Sequence, residues 1–374
     1  MKIAVNARFL NASYREGFGN FIYEIFSRLV KRFPQHEFIF IYDRPVTETV
    51  ISGANTRTVF TGPAARHPLL WKLWYDVRVP AVLRKYKADV FISCDGFCSL
   101  STKVPQCLVI HDIAWYHYPS HVPRSHLLYF RRYIPRFLKK ATTVVTVSEF
   151  SRQDIAAVFN TPPSKFTVIP NGVKAVFQPL SPDEKSLVKA KYTDGREYLV
   201  YTGAIHPRKN LINLLKAFSL FKKRLHTGMK LVIAGRLAWK NDDFSKKLKT
   251  YRYREDVVLT GYLEDAELAR VTASAYAMVY PSLFEGFAVP VIEAMQAAVP
   301  VITSANSAMA ETGGDAALYA DPADPADIAE KMMLLYKDEN LRNELVRKGT
   351  DRARNFNWDD VAEQFWHAIQ STVH

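Results

Sequence analysis

Glu285-Gly286-Phe287-Ala288-Val289-Pro290-Val291-Ile292-Glu293 is the stretch on which the fold turns. Two acids stand eight positions apart, with a glycine, an aromatic residue and a proline between them. The apolar run before it, Tyr276 to Leu283, predicts a buried strand. Residues from Pro290 to Ala298 predict a helix, because proline suits a first helical turn and Ala, Met, Glu and Gln follow it. A strand, a glycine turn and a helix start present backbone N–H groups to an anion. Carboxylates beside such a site repel an anion and suit hydroxyls instead. The stretch therefore points to a ligand carrying both phosphate and sugar.

Outward from this stretch, short runs rich in β-branched and aromatic residues alternate with helical patterns. In the first half they are Ile3–Val5, Phe38–Tyr42, Val90–Ser93, Cys107–Ile110, Thr143–Val147 and Phe166–Ile169. In the second half they are Tyr198–Thr202, Lys230–Ala234, Val257–Thr260, Ala277–Tyr280, Val301–Ser304 and Ala317–Ala320. Continuous apolar strands separated by helices predict parallel sheets covered on both faces. The turn Asn171-Gly172 and the prolines Pro179 and Pro182 mark a boundary between two α/β domains. The expected first domain is 1–178 with a C-terminal helix at about 358–374, and the second is 179–357. Ligands of such sheets bind beyond the carboxyl ends of strands.

The length of 374 residues suits two domains, and 48% hydrophobic residues can supply their cores. No tract is apolar and long enough to span a bilayer, and the N-terminus reaches polar residues too soon for a signal peptide. Three cysteines without metal-ligand spacing suit a reduced, cytoplasmic protein. The net charge of +13 lies wholly in residues 1–180, where 24 Lys and Arg face 11 Asp and Glu. Such a half suits an anionic partner: nucleic acid, an anionic membrane face or a phosphorylated lipid. Ordinary solubility charge is the competing reading.

Several motifs sit at predicted strand ends. Gly203-Ala204-Ile205-His206-Pro207-Arg208-Lys209-Asn210 follows the first strand of the second domain and delivers Arg208 and Lys209 near a helix start. A diphosphate there would need such cations, although a solvated pair capping a loop reads the same way. Gly17-Phe18-Gly19 forms a glycine turn before an amphipathic helix, without the third glycine of a dinucleotide fingerprint. His111-Asp112 ends an apolar strand, as a functional histidine or as a structural pair fixing the loop. Ser148-Glu149-Phe150-Ser151 reads as a helix N-cap. The basic aromatic stretches Trp71–Arg78 and Leu127–Lys140 suit either a membrane surface or packing on their own sheet, and Pro135 predicts a kink in the second.

Together these residues resemble retaining glycosyltransferases of family 4, which have the two-Rossmann-domain GT-B architecture. Glu285 and Glu293 with Gly286, Phe287 and Pro290 resemble the paired-glutamate signature. Pro207-Arg208-Lys209-Asn210-Leu211 resembles the diphosphate loop, Gly17-Phe18-Gly19 the acceptor-side loop and His111-Asp112 the active-site histidine segment. The resemblance covers essentially the whole chain. It implies two doubly wound domains facing across a cleft, with a C-terminal helix crossing back to the first. It also implies roles. Arg208 and Lys209 would neutralise the departing diphosphate, Glu293 would accept hydrogen bonds from ribose hydroxyls, and Glu285 would hold sugar hydroxyls. Gly203 and the backbone of Gly286, Phe287 and Ala288 would line the donor, and His111 would touch the sugar. No residue is implied as nucleophile, and no metal or cofactor is expected. Ala204 departs from the pattern, since many members carry arginine there, and Arg208 stands in for it.

The expected activity is transfer of a hexose, mannose from GDP-mannose, to a saccharide or lipid-linked saccharide in cell-surface polysaccharide synthesis. The expected location is cytoplasmic, peripheral on the inner face of the membrane. Two rivals stay open: a nucleotide-sugar epimerase or hydrolase of the same fold, and a basic nucleic-acid-binding protein, although no nucleic acid is expected as partner.

Overall fold

The computed structural model describes residues 1–11, 17–46, 49–236 and 242–373. They divide into two compact units, Met1–Asn171 with Asn357–His374, and Gly172–Phe356.

The first unit holds a seven-stranded parallel sheet. Its strands are β1 Lys2–Asn6, β2 Glu37–Tyr42, β3 Thr56–Phe60, β4 Val90–Ser93, β5 Gln106–Val109, β6 Thr143–Thr146 and β7 Phe166–Val168, in the order β3-β2-β1-β4-β5-β6-β7. Ile3 pairs with Phe38 on one side and Val90 on the other. The second unit holds a six-stranded parallel sheet of β8 Tyr198–Thr202, β9 Lys230–Ala234, β10 Val257–Gly261, β11 Ala277–Tyr280, β12 Val301–Ser304 and β13 Ala317–Ala320. Its order is β10-β9-β8-β11-β12-β13. Both sheets thus reverse direction of winding beside their first strand, between β1 and β4 and between β8 and β11. Those switch points are where open α/β sheets accept ligands.

Twelve strands lie where the sequence predicts them. The thirteenth, β3, does not announce itself. Thr56–Phe60 mixes partly buried and exposed positions at the sheet edge and carries Thr56, Arg57 and Thr58, so it lacks the continuous apolar signal of its neighbours. The domain boundary also needs correction. Residues 172–178 belong with the second unit, not the first, because the Val173 N–H donates to the Phe356 carbonyl at 2.9 Å and Lys174 pairs with Asp265 at 2.7 Å.

The helix Trp358–Val373 is part of the first unit. It packs on the helix Gly17–Arg32 and its surroundings, with Phe365 and Ile369 fully buried and Trp366 stacked on Phe33 at 3.9 Å between ring centres. Ion pairs Arg28–Asp359 (2.9 Å) and Arg32–Glu363 (3.4 Å) flank that contact. The helix Arg124–Lys140 runs continuously through Pro135. All three cysteines are free and buried. Among the described residues no helix is long and apolar enough to cross a membrane.

Candidate active site

In the second unit the switch point gathers its residues from loops after β8 and β11. β8 ends at Thr202, and Gly203 turns the chain with φ +129°, a region that glycine tolerates. The Gly203 backbone lies against Gly235 beyond β9, where a Cβ would stand 1.9 Å from the Gly203 oxygen. Pro207–Lys209 then form a single 3-10 turn, with the His206 ring accepting from the Arg208 N–H at 3.2 Å. Asn210 closes it with left-handed backbone, and its side chain donates to the carbonyls of Pro281 (3.0 Å) and Pro322 (2.6 Å). The cationic loop is thereby tied to the loop after β11, an arrangement reinforced by the Leu283 N–H donating to the Arg208 carbonyl at 2.9 Å.

Both cations reach Glu285. Lys209 Nζ lies 2.6 Å from Glu285 Oε1, and Arg208 Nη1 lies 3.1 Å from Oε2. Lys209 also donates to the Tyr280 hydroxyl at 2.6 Å and sits 5.1 Å from the centre of that ring. Arg208 Nη1 donates to the Phe284 carbonyl. Ser282 Oγ (2.5 Å) and Tyr280 Oη (3.2 Å) donate to Glu285 Oε1, and the Glu285 N–H donates to Ser307 Oγ at 3.0 Å. Burial alone would raise the Glu285 carboxyl. The Arg208 and Lys209 charges, with hydrogen bonds from Lys209 and Ser282, overcome it and hold the group at about 2. Glu285 is therefore ionised at any working pH. Two cations around one carboxylate leave one net positive charge at the sheet edge.

Behind Glu285 the chain turns at Ala288, also left-handed (φ 74°), into the helix Val289–Gln296 with Pro290 in its first turn. The positive end of that helix dipole faces the same edge. The Phe287 ring is buried against Phe356 at 5.5 Å and its carbonyl accepts from the Thr312 hydroxyl, so its N–H is what it can offer a ligand. Glu293 is partly buried, one turn into that helix. Burial pushes its carboxyl up to about 7, the nearby Lys174 opposing and Asp265 adding to the rise. The carboxyl group makes no hydrogen bond or ion pair among the described residues, and so has acceptor capacity to offer. Tyr280, Ser282 and Ser307 are site residues that motif reading missed. The signal for the first was there: a tyrosine at the carboxyl end of a buried strand.

In the first unit the structure joins His111 to Phe18 of the glycine loop. The His111 ring lies 5.0 Å from those of Phe18 and Phe21. Its Nε2 stands 3.2 Å from the Cys94 carbonyl, which can only accept, so Nε2 carries the proton and Nδ1 keeps its lone pair. Burial lowers the imidazole to about 4, leaving it neutral at pH 7. Ser151 Oγ donates to the His111 carbonyl at 2.9 Å, and Ser148 caps its helix through the Ser151 N–H, so that capping segment also fixes the histidine. Asp112 instead accepts from the Ala114 N–H at 2.9 Å and turns the loop. Gly17 and Gly19 lie in the first turns of the helix Gly17–Arg32 rather than before it, and Arg15 and Glu16 lie outside the described residues.

The first unit's switch point holds a polar network that sequence reading did not find. Arg8, after β1, stands 2.8 Å from Asp95, after β4. Asp95 also accepts from the Tyr75 hydroxyl at 2.8 Å and from Asn6 at 2.9 Å. Opposite charges so deep in the protein stand because each answers the other.

Residues 183–352 match the family model described as "Glycosyl transferases group 1", and residues 15–176 the model described as "Glycosyltransferase Family 4". The chain is a family 4-like glycosyltransferase. The glycosyltransferase is 29% identical over 310 residues to the O-antigen chain mannosyltransferase B of Escherichia coli, covering 82% of this chain and 81% of that one. It is 26% identical to the O-antigen chain mannosyltransferase RfbU of Salmonella typhimurium, covering 69% and 68%. Among solved structures it resembles WaaG, a glycosyltransferase involved in lipopolysaccharide biosynthesis, with TM-score 0.78 at 16% identity over 99% of this chain and 99% of that one. It also resembles HepE of Anabaena in complex with UDP and glucose, with TM-score 0.76 at 15% identity over 99% and 100%. The glycosyltransferase thus has the GT-B fold, built on two parallel sheets.

Proposed function

We propose that the protein transfers mannose from GDP-mannose, with retention at the anomeric carbon, to a saccharide or lipid-linked saccharide during cell-surface polysaccharide synthesis. The observation that carries this reading is the convergence of Arg208 and Lys209 on Glu285 at the β8/β11 switch point. Breaking the bond from the sugar to the diphosphate builds negative charge on the leaving oxygens. A cationic turn already held in place stabilises that charge without reorganising. Arg208 and Lys209 supply this charge in place of a metal or other cofactor. The acceptor hydroxyl attacks on the face from which the diphosphate leaves, and its proton passes to a departing phosphate oxygen. No residue acts as nucleophile.

Glu293 takes the ribose hydroxyls, and Glu285 the sugar hydroxyls with whatever acceptor capacity the two cations leave it. Gly203 and the backbone of Gly286, Phe287 and Ala288 line the donor. The neutral imidazole of His111 holds a sugar hydroxyl without adding charge, and Gly17-Phe18-Gly19 serves the acceptor. The mannose assignment is supported by the mannosyltransferase names of the relatives above. The protein works in the cytoplasm, at the inner face of the membrane that carries its acceptor. The test is GDP release from GDP-mannose with and without lipid-linked saccharide acceptors. Release that depends on acceptor and yields an α-linked product supports the reading. Release without acceptor makes the protein a hydrolase, and a changed sugar without transfer makes it an epimerase.

A further inference from the structure

One surface of the first unit exposes apolar side chains that no core uses. In the helical segment formed by Pro68–Leu73 and Trp74–Arg78, the inward positions Trp71, Trp74 and Tyr75 are buried. The outward positions Leu69, Leu73 and Val77 recur every four residues and are 75%, 39% and 53% exposed. Single exposed leucines are ordinary, but three in register make a stripe. Trp71 packs this segment onto the helix Arg124–Lys140, its ring 5.1 Å from Tyr129 and 6.0 Å from Phe130. The second helix buries Tyr129, Ile134, Phe137 and Leu138 and turns Arg124, Leu128, Arg131, Arg132 and Lys139 outward. Leu128 is 68% exposed. That helix carries six Lys and Arg and no acid. Where the two segments meet, Lys72, Arg132 and Arg136 lie 5.2, 5.9 and 5.6 Å from the Tyr133 ring centre. The apolar stripe and the cationic face are therefore neighbours on one surface.

We infer that this surface docks on an anionic lipid bilayer, the leucine stripe entering the acyl boundary and the arginines meeting lipid phosphates. Leu69, Leu73, Val77 and Leu128 need an apolar phase, which nucleic acid does not offer. The cations beside them need a phosphate layer at the same level, which a bilayer interface provides. The inference rests on the membrane part of the proposed function and gives it a location.

The test is cosedimentation of the full chain with phosphatidylcholine vesicles, with and without about a third phosphatidylglycerol, at about 0.1 M salt. The wild type sediments with the anionic vesicles alone. The triple variant Leu69→Gln, Leu73→Gln, Val77→Gln and the triple variant Arg124→Glu, Arg131→Glu, Lys139→Glu each lose about tenfold or more in partitioning, with unchanged circular dichroism. Leu128→Gln alone gives a smaller loss in the same direction and guards against misfolding of the triple variants. A wild type that stays in the supernatant overturns the inference, as does a leucine variant that binds like the wild type. Nucleotide-sugar binding needs no vesicle, so intact donor binding with no vesicle binding removes this surface and leaves the transferase reading standing.

Discussion

At the residue scale, the site is an ion cluster in which each member depends on the others. Glu285 stays ionised in a buried position only because Arg208 and Lys209 face it. Glu285→Ala leaves two cations without their carboxylate and destabilises the fold by about 3 kcal/mol, read from chemical denaturation. A nucleoside diphosphate restores part of that loss, because its phosphates replace the missing charge, and equal stabilisation of the wild type would contradict this. Arg208→Ala and Lys209→Ala each lower turnover about 10²–10³-fold, the usual cost of removing one preorganised charge donor, with smaller effects on donor affinity. Most of these residues were legible as motif members. Their mutual contacts were not, because Lys209 and Glu285 are 76 positions apart and meet only when β8 and β11 become neighbours.

At the element scale, the helix Val289–Gln296 carries a titration. Glu293 has its carboxyl raised from 4.5 to about 7 by burial, so the folded protein holds this proton more tightly than the unfolded chain. Its contribution to stability is full below about 4.5 and is lost as pH rises through about 7. Ribose hydroxyls donate best to the ionised form. Affinity for a nucleotide sugar, whose diphosphate does not titrate in this range, accordingly tightens between pH 6 and pH 8, and calorimetry shows proton release on binding. Glu293→Gln removes that pH dependence and weakens binding; a variant with the same profile as the wild type contradicts the assignment. The turn after β8 has a tighter constraint. A Cβ at Gly235 would stand 1.9 Å from the Gly203 oxygen, so Gly235→Ala costs about 3 kcal/mol and displaces the cationic turn. Twelve strands could be read from their apolar runs, which even the edge strand β10 keeps in Val257, Val258 and Leu259. The edge strand β3 could not, since Thr56, Arg57 and Thr58 interrupt any such run.

At the scale of the whole molecule, the sequence order of the chain and its folded units differ. The first unit is completed by the helix Trp358–Val373, whose Val361, Phe365, Trp366 and Ile369 are buried in it. At about 1.5–3 kcal/mol for each such side chain, their sum rivals the whole stability of a domain. Removing residues 357–374 therefore unfolds the first unit, and hydrogen exchange shows lost protection in residues 1–171 while residues 172–356 keep theirs. Retained protection in both would contradict it. The boundary itself was misplaced by seven residues, because the prolines that mark a loop do not reveal which unit the loop is bonded to. The polar network of Arg8 and Asp95 was invisible for a related reason, its members being scattered over 90 positions with no motif. In the proposed function the β8/β11 switch point grips a nucleotide sugar through its cationic turn. Calorimetric titration of GDP-mannose into the wild type and Lys209→Ala tests it most directly. Saturable binding to the wild type that weakens about tenfold or more in the variant is the predicted result; no binding to the wild type, or equal binding to both, would contradict it.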